Sequence, residues 1–181
     1  MNRVSKKVDF TKIKIIIVDC DGILTDGSLI YTDKGEEVKS FCSLDGLGIR
    51  LLSFSDIEFA IVTGRVSDCL VHRCKDLKVD MLYQNAKNKL FVIDKILKKK
   101  RLSYRNIAYM GDDINDLPVL KKAAFSASAK DPSDDIKDSL HWVSNKKGGF
   151  GCVREMIDLI LKKSKKYEAT KAKFFNYLNK Y

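Results

Sequence analysis

A run of β-branched apolar residues that ends in two carboxylates constrains the fold of this chain more than any other feature. In residues 13–18, five of the six side chains are β-branched and apolar. A run without polar alternation predicts a strand buried on both faces, as in a parallel sheet. Asp19 and Asp21 follow on the same side of the extended chain, and two nearby anions repel each other. The pair therefore indicates a divalent cation site; the alternative is a plain acidic turn before Gly22.

Two later apolar stretches also end in polar groups. Residues 58–63 end at Thr63, and Gly64 and Arg65 come next. Residues 107–110 are followed by Gly111, Asp112 and Asp113. Helical patterns separate these strands, which predicts an α/β fold with an open parallel sheet and helices on both faces. Ligands of such sheets bind beyond the carboxyl ends of the strands. The three polar strand ends are therefore expected to meet in one site.

Local signals place several other elements. Residues 29–31 and 38–41 flank an Asp-Lys-Gly turn, which predicts a β-hairpin insertion, at about residues 24–41, at the mouth of the site. Asp45 is expected to cap a helix that includes residues 49–52, and Ser67 to cap the next one. Further helices are expected at residues 87–100 and from Val153 onward, with short strands at residues 124–126 and 142–143.

The net charge of +10 raises the possibility of nucleic-acid binding, but the positive charge is concentrated at one end of the chain. Residues 162–181 contain seven lysines and one acid, Glu168. Such a basic tail is more typical of a solvated or frayed terminus than of a docking arm. Phe174, Phe175 and Tyr177 offer an alternative, an amphipathic helix for a partner or a membrane surface. We expect a poorly ordered extension.

Composition and segment lengths bound the remaining classes. No apolar run approaches the roughly 20 residues that cross a bilayer, and residues 1–12 lack the apolar core of a secretory signal. Five cysteines without a CxxC pair indicate reduced thiols in a cytoplasm. The expected organisation is an extension over residues 1–12, one domain over residues 13–163 and a basic tail over residues 164–181.

The carboxylates and their neighbours predict phosphoryl-transfer chemistry. Asp19, Asp21 and Asp112 supply hard oxygen ligands without a His or Cys set, which favours Mg²⁺ over zinc. The Thr63 hydroxyl and the Lys89 ammonium are suited to neutralise phosphoryl oxygens. One carboxylate can then act as a nucleophile and a second as a general acid and base.

These residues resemble the four motifs of the haloacid dehalogenase (HAD) superfamily, in the expected order. Residues 19–22, Thr63, Lys89 and residues 111–116 carry that resemblance. Residues 23–27, 45–50, 63–65 and 148–155 more closely resemble the 3-deoxy-D-manno-octulosonate 8-phosphate (KDO 8-phosphate) phosphatases. The resemblance covers about residues 13–163 and implies a Rossmann-like HAD fold without a separate cap domain. It also implies homotetramers, in which the hairpin and a neighbouring chain's C-terminal segment close each site.

The resemblance assigns a role to each motif residue. It implies that Asp19 is the nucleophile, that Asp21 is the acid and base and lends its backbone carbonyl to Mg²⁺, and that Asp112 is the third metal ligand. Thr63 and Lys89 are implied to hold the phosphate. Asp113 and Asp116 are left open as ligands or supporting residues. The implied substrate contacts are Asp21, Cys42, Ser43, Leu44, Asp45, Gly46, Arg50, Arg65, Arg73 and Lys89.

Two positions depart from the family pattern. Leu44 and Phe150 stand where the family usually has basic residues, which bears on recognition of the sugar acid. The expected reaction is hydrolysis of KDO 8-phosphate in lipopolysaccharide precursor synthesis. The alternatives are a nonulosonate 9-phosphate as substrate, and a non-catalytic oligomerisation module related to the C-terminal lobes of sugar-acid cytidylyltransferases.

Overall fold

Six parallel strands form the central sheet of the protein, in a computed structural model that describes residues 8–180. A separate antiparallel hairpin joins β2 to β3, and the strand order in the large sheet is β5-β4-β1-β6-β7-β8. The predicted open parallel sheet and the hairpin after the first strand are both confirmed. The strands are β1 Ile15–Val18, β2 Ile30–Tyr31, β3 Glu37–Val38, β4 Glu58–Val62, β5 Met81–Tyr83, β6 Ile107–Met110, β7 Phe125–Ser128 and β8 Trp142–Val143.

Helices cover both faces of the sheet. Between β1 and the first long helix, the chain adds only the β2–β3 hairpin, so the expected absence of a cap domain holds for the described residues. Short 3-10 turns lie at Phe10–Lys12, Tyr104–Asn106 and Ile114–Asp116. The α-helices are α1 Ser43–Leu52, α2 Asp68–Leu77, α3 Lys89–Lys100, α4 Leu117–Leu120, α5 Asp134–Lys137, α6 Cys152–Lys163 and α7 Tyr167–Leu178.

Strand β1 divides the hydrophobic core into two layers. Ile16 and Val18 pack into a layer with residues of α1, α2 and α6. Ile15 and Ile17 point to the opposite face and pack with residues of α3, α4 and α5. All four side chains are fully buried, and each buried aliphatic side chain contributes about 1.5–3 kcal/mol. This two-sided burial explains why β1 has no polar alternation and fixes the strand that ends at Asp19.

Asp45 caps a different helix from the one predicted. Helix α1 begins at Ser43, and Asp45 lies buried inside its first turn. The backbone N–H groups of Gly151 and Arg154 donate to the Asp45 carboxylate at 3.2 and 2.7 Å, which caps α6 instead. The prediction was wrong because capping signals are read locally, whereas this partner lies more than a hundred residues along the chain. Burial raises the pKa of Asp45, although these donors favour its ionised form.

The basic tail is helical rather than frayed. Helix α7 packs against α1 and α6, and its Thr170 is buried. The ring centroids of Phe174 and Tyr177 lie 5.5 and 5.3 Å from that of Phe54, at the end of α1. Lys166 also donates to Asp56 at 2.6 Å. The prediction of a poorly ordered extension was therefore wrong. It rested on the high lysine content of the tail, whereas the aromatic residues of α7 form an apolar face that packs on the domain.

The chain termini and the cysteines complete the description. Residues 1–7 of the predicted N-terminal extension and residue 181 of the tail lie outside the described residues. The rest of the extension packs onto the domain, with the Phe10 ring 5.0 Å from that of Phe125. The five cysteines are free thiols. Within residues 8–180, every helix is too short or too polar to traverse a lipid bilayer.

Candidate active site

Three carboxylates meet at the carboxyl edge of the sheet. Asp19 follows β1, while Asp112 and Asp116 follow the neighbouring strand β6, and their oxygens lie within 4.8 Å of one another. The two strands place them there because Val18 pairs with Met110, and the Asp19 N–H donates to the Met110 carbonyl at 2.9 Å. The structure thus brings Asp19 and Asp112 together, as the polar strand ends suggested.

Two glycines make this close approach possible. A Cβ on Gly22 would lie 2.0 Å from Oδ2 of Asp112, and Gly22 also has a positive φ of 81°. A Cβ on Gly111 would lie 2.3 Å from Cγ of Asp116. Any side chain at either position would displace a carboxylate, so glycine at both positions is a steric requirement of this cluster.

Lys89 places an ammonium group among the carboxylates. It is the first residue of α3, whose N-terminus is capped by Asn88, and it is buried. Its Nζ lies 2.7 Å from Oδ2 of Asp19 and 2.6 Å from Oδ1 of Asp116. Burial lowers the pKa of Lys89, but the two carboxylates outweigh burial and raise it overall, so Lys89 is charged at neutral pH.

Asp116 supports Lys89 rather than offering a free metal ligand. Its carboxylate is fully buried and accepts from Lys89, from the hydroxyl of Tyr109, and from the backbone N–H of Asp112 at 3.0 Å. These bonds occupy both oxygens. Tyr109 was not among the predicted site residues, because a tyrosine inside an apolar strand carries no local sign of a polar partner. Asp113 is exposed and caps the turn at Ile114.

The electrostatics of the cluster fit a divalent cation. Burial, followed by the charge of Asp116, raises the pKa of Asp19 to about 6. Burial, followed by the charges of Asp19 and Asp116, raises the pKa of Asp112 to about 7. The single ammonium of Lys89 therefore leaves the negative charge undercompensated. Hard carboxylate oxygens with few other ligands match Mg²⁺, which keeps several water or phosphate ligands.

Asp21 and Thr63 follow the carboxyl ends of β1 and β4, which are neighbours in the sheet. Asp21 forms an ion pair with Lys39 at the end of the hairpin, and its Oδ2 lies 3.5 Å from Nε of Arg65. Thr63 is buried at the end of β4, where its N–H donates to the Tyr83 carbonyl at 2.9 Å. Lys39 was not among the predicted site residues, because a lysine that follows a short hairpin strand is usually solvated.

Comparison with known proteins identifies the family. Residues 76–157 match the family model of haloacid dehalogenase-like hydrolases. The 3-deoxy-D-manno-octulosonate 8-phosphate phosphatase of Escherichia coli K12 is 40% identical over 149 residues, which cover 82% of this chain and 79% of the relative. The chain belongs to the KDO 8-phosphate phosphatase family. The Yersinia pestis phosphatase is 38% identical over 156 residues, which cover 86% of this chain and 83% of that protein.

Solved structures of KDO 8-phosphate phosphatases share the fold. The Moraxella catarrhalis enzyme, in complex with a magnesium ion, a phosphate ion and a KDO molecule, has a TM-score of 0.87 and 36% identity. That match covers 91% of this chain and 95% of the other. The cobalt-bound Haemophilus influenzae enzyme has a TM-score of 0.85 and 35% identity, over 92% of this chain and 98% of the other. The predicted HAD fold is therefore confirmed.

The residues that the KDO 8-phosphate phosphatase resemblance assigned to the substrate do not all lie together. Arg65 contacts Asp21. Arg73 donates to the Cys42 carbonyl at 3.2 Å and fits there because Gly46 has no side chain, since a Cβ on Gly46 would lie 2.3 Å from Nη2 of Arg73. Ser43 is exposed at the start of α1.

Arg50 and Asp45 have other partners in this chain. The guanidinium of Arg50 lies 5.2 Å from the Phe54 ring centroid and 5.0 Å from that of Tyr177, in the α1–α7 interface. Asp45 is used in the α6 cap described above. The structure therefore places Arg50 in the packing between α1 and α7, away from the carboxylate cluster, and uses Asp45 to cap α6.

The two departures from the family pattern are neighbours. Leu44 and Phe150 are 54% and 60% exposed, and the nearest atoms to a Cβ on Gly151 belong to Leu44. The loop that carries Phe150 is pressed against the turn after β1, since a Cβ on Gly148 would lie 1.9 Å from the Gly22 carbonyl oxygen. Both apolar residues thus lie in one exposed region next to the turn that follows β1.

The raised carboxylate pKa values predict a pH-dependent metal affinity. As ligands of Mg²⁺, Asp19 and Asp112 would have to be ionised, and their pKa values of about 6 and about 7 place their protonation at and just below neutrality. Below these pKa values, Mg²⁺ must displace a proton from each protonated carboxylate. For each such proton, we expect the Mg²⁺ dissociation constant to rise about tenfold per pH unit. Isothermal titration calorimetry between pH 5.5 and pH 8 measures it. An affinity that is constant over this range would contradict the prediction.

Proposed function

We propose that this protein is a Mg²⁺-dependent phosphatase that hydrolyses KDO 8-phosphate to KDO and phosphate in the cytoplasm, as a step of lipopolysaccharide precursor synthesis. The observation that carries the proposal is the position of Lys89, buried between Asp19 and Asp116, with Asp112 within 4.8 Å. A nucleophilic carboxylate beside a cation and an ammonium suits attack on a phosphate monoester. Membership of the KDO 8-phosphate phosphatase family supports the substrate.

The first step transfers the phosphoryl group to Asp19. A carboxylate oxygen of Asp19 attacks phosphorus and forms an acyl-phosphate bond, while the bond from phosphorus to the sugar oxygen breaks. Asp21, two residues further along the chain, gives its proton to that departing oxygen. Lys89 contacts Asp19 directly and is therefore placed to neutralise a phosphoryl oxygen as charge develops on it. The buried Thr63 hydroxyl is proposed as a further donor.

The second step releases phosphate. A water molecule attacks the phosphorus of the aspartyl phosphate, and Asp21, now ionised, accepts a proton from that water. The bond between phosphorus and the Asp19 oxygen breaks, which restores both carboxylates and yields inorganic phosphate. Asp21 thus gives a proton in the first step and recovers one in the second, with Lys39 at one of its carboxylate oxygens and Arg65 near the other.

The carboxylates of Asp19 and Asp112 and the backbone carbonyl of Asp21 are proposed as the protein ligands of Mg²⁺. The ion, when bound, would neutralise phosphoryl oxygens and help to orient the phosphate for in-line attack. Asp116 is excluded from this set by its bonds to Lys89, Tyr109 and Asp112. Its contribution is to hold the ammonium of Lys89 in place.

The sugar end of the substrate is proposed to bind on the hairpin side of the cluster. Arg65 lines a cleft of about 700 Å³ with Tyr31 and Glu37, between the hairpin and the start of α2. A guanidinium at this rim suits the carboxylate of a sugar acid. Leu44 and Phe150 add no charge, so we propose that Arg65 and Arg73 provide most of the recognition of the sugar acid.

A homotetramer is proposed as the assembly. The hairpin exposes Leu29, Ile30, Tyr31 and Val38 at 51%, 51%, 54% and 45%. A cluster of large apolar side chains on a two-stranded hairpin is typical of an interface. Size-exclusion chromatography with light scattering tests this assembly, and a monomer at micromolar concentration would contradict it.

A substrate panel tests the function. We expect phosphate release from KDO 8-phosphate to exceed that from a nonulosonate 9-phosphate and from simple sugar phosphates by at least about tenfold in kcat/KM, the value of one specific charged contact. Chelation of Mg²⁺ should abolish release from all of them. A preference for the nine-carbon acid would reassign the substrate within the same chemistry. No release from any phosphate would favour the non-catalytic module.

A further inference from the structure

Lys39 is buried where a hairpin lysine is normally solvated. Its side chain is 1% exposed, compared with the exposed Lys34 of the same hairpin. Its Nζ donates to Oδ1 of Asp21 and lies 3.3 Å from Oε1 of Glu37. Removing a lysine from water costs several kcal/mol unless carboxylates surround it. Asp21 and Glu37 supply those carboxylates around Lys39.

Four charged side chains form a closed ring that joins the hairpin to the catalytic turn. Lys39 links Asp21 to Glu37, and Arg65 links Glu37 back to Asp21. Nη2 of Arg65 donates to Oε1 of Glu37 and to the hydroxyl of Tyr31, each at 3.0 Å. Two of the four residues belong to the hairpin, so the hairpin and the proposed acid and base are fixed to each other.

The two cations of this ring hold Asp21 unequally. Lys39 makes a direct hydrogen bond to Asp21, whereas Nε of Arg65 lies 3.5 Å from it and has no hydrogen-bond acceptor in the structure. The Arg65 side chain is also 40% exposed, and its hydrogen bonds go to Glu37 and Tyr31. Within the described residues, Lys39 is thus the buried partner that fixes the carboxylate of Asp21.

We propose that Lys39 is a positioning residue that holds the carboxyl group of Asp21 where it exchanges a proton with the departing sugar oxygen. Glu37 in turn fixes Lys39, so the hairpin sets the geometry of proton transfer as well as covering the site. This inference deepens the proposed phosphatase mechanism and rests on Asp21 acting as its acid and base. Lys39 itself does not touch the reacting atoms in this role.

A series of aryl phosphates tests the role of Lys39. A nitrophenolate leaves without a proton, whereas an unsubstituted phenolate benefits from protonation, and neither substrate has a carboxylate that Arg65 could bind. We expect Lys39→Met to lower kcat/KM for phenyl phosphate by about 10²-fold, the usual contribution of a general acid. For nitrophenyl phosphate the loss should be less than about tenfold, so the dependence of kcat/KM on leaving-group acidity becomes steeper.

Controls separate positioning from general damage. Lys34→Met removes an exposed lysine from the same hairpin and should leave both substrates unchanged. Lys39→Gln keeps a hydrogen-bond donor, provides a second variant if Lys39→Met does not fold, and should steepen the series to a smaller extent. Thermal unfolding confirms that each variant is folded before rates are compared.

The outcomes are distinct. Equal losses on both substrates, or no loss, in folded Lys39 variants would overturn the positioning role while wild-type hydrolysis of KDO 8-phosphate keeps the proposed function intact. A steeper series in both variants supports the role. A wild-type protein that hydrolyses neither aryl phosphates nor KDO 8-phosphate would overturn the function and the inference together.

Discussion

Asp19→Asn is expected to lower kcat for KDO 8-phosphate by about 10⁴-fold or more, the scale on which loss of a covalent nucleophile acts. An amide oxygen attacks phosphorus poorly and cannot carry the acyl phosphate. The variant also loses one anionic ligand for Mg²⁺. Phosphate release at saturating Mg²⁺ and substrate measures the effect. Asp26→Asn, an exposed change in the same turn, should retain wild-type activity.

The stability of the Asp19→Asn variant separates chemistry from folding. The folded-state pKa of Asp19 is raised to about 6, so its ionised form destabilises the metal-free fold above that pH. Wild-type stability in chelator should therefore rise as the pH falls from about 7 towards about 4. At pH 8 in chelator, Asn should give a free energy of unfolding at least equal to that of the wild type, because Lys89 keeps its contact with Asp116.

Two results would contradict this prediction. Activity near that of the wild type would exclude the aspartyl-phosphate route. A large loss of stability in chelator would mean that the Asp19 carboxylate is a structural anion rather than a strained catalytic one. Urea denaturation at several pH values measures the second result directly.

The fold could be predicted because its signals are local. Strand β1 is apolar on both faces, so the sequence itself indicates that helices cover both sides of the sheet. The ends of β1, β4 and β6 converge because parallel strands share an edge, which predicts that Asp19 lies near Asp112 without any further information. The hairpin was indicated by its turn residues at 33–35.

The contacts that could not be predicted join residues far apart in the chain. Asp45 caps α6 rather than α1, and α7 packs on Phe54 and Arg50. Nothing in the neighbouring residues signals either partner. Lys39 and Tyr109 were missed for a related reason, because the local sequence of each suits a different environment, solvent for Lys39 at the end of the hairpin and the apolar core for Tyr109 on β6.

Asp116→Ala is expected to destabilise the protein by about 3–5 kcal/mol, the cost of leaving a buried charge without one of its partners. Asp116 is fully buried and accepts hydrogen bonds from Lys89, Tyr109 and the N–H of Asp112. Alanine leaves all three donors without this acceptor. Lys89 would then pair with Asp19 alone. This ion pair would hold the nucleophilic carboxylate of Asp19, so activity should also be lost.

Matched variants show whether the carboxylate or its position matters. Asp116→Asn keeps the shape of the side chain, but its NH₂ group would face at least one of these donors and could not accept from it. It should therefore recover only part of the stability that Asp116→Ala loses. Asp113→Asn, in the same loop, retains an oxygen for the cap at Ile114 and should change stability by less than about 0.5 kcal/mol. Urea denaturation in chelator compares the three. A loss below about 1 kcal/mol for Asp116→Ala would mean that water replaces the carboxylate, and that the position of Lys89 depends on Asp19 instead.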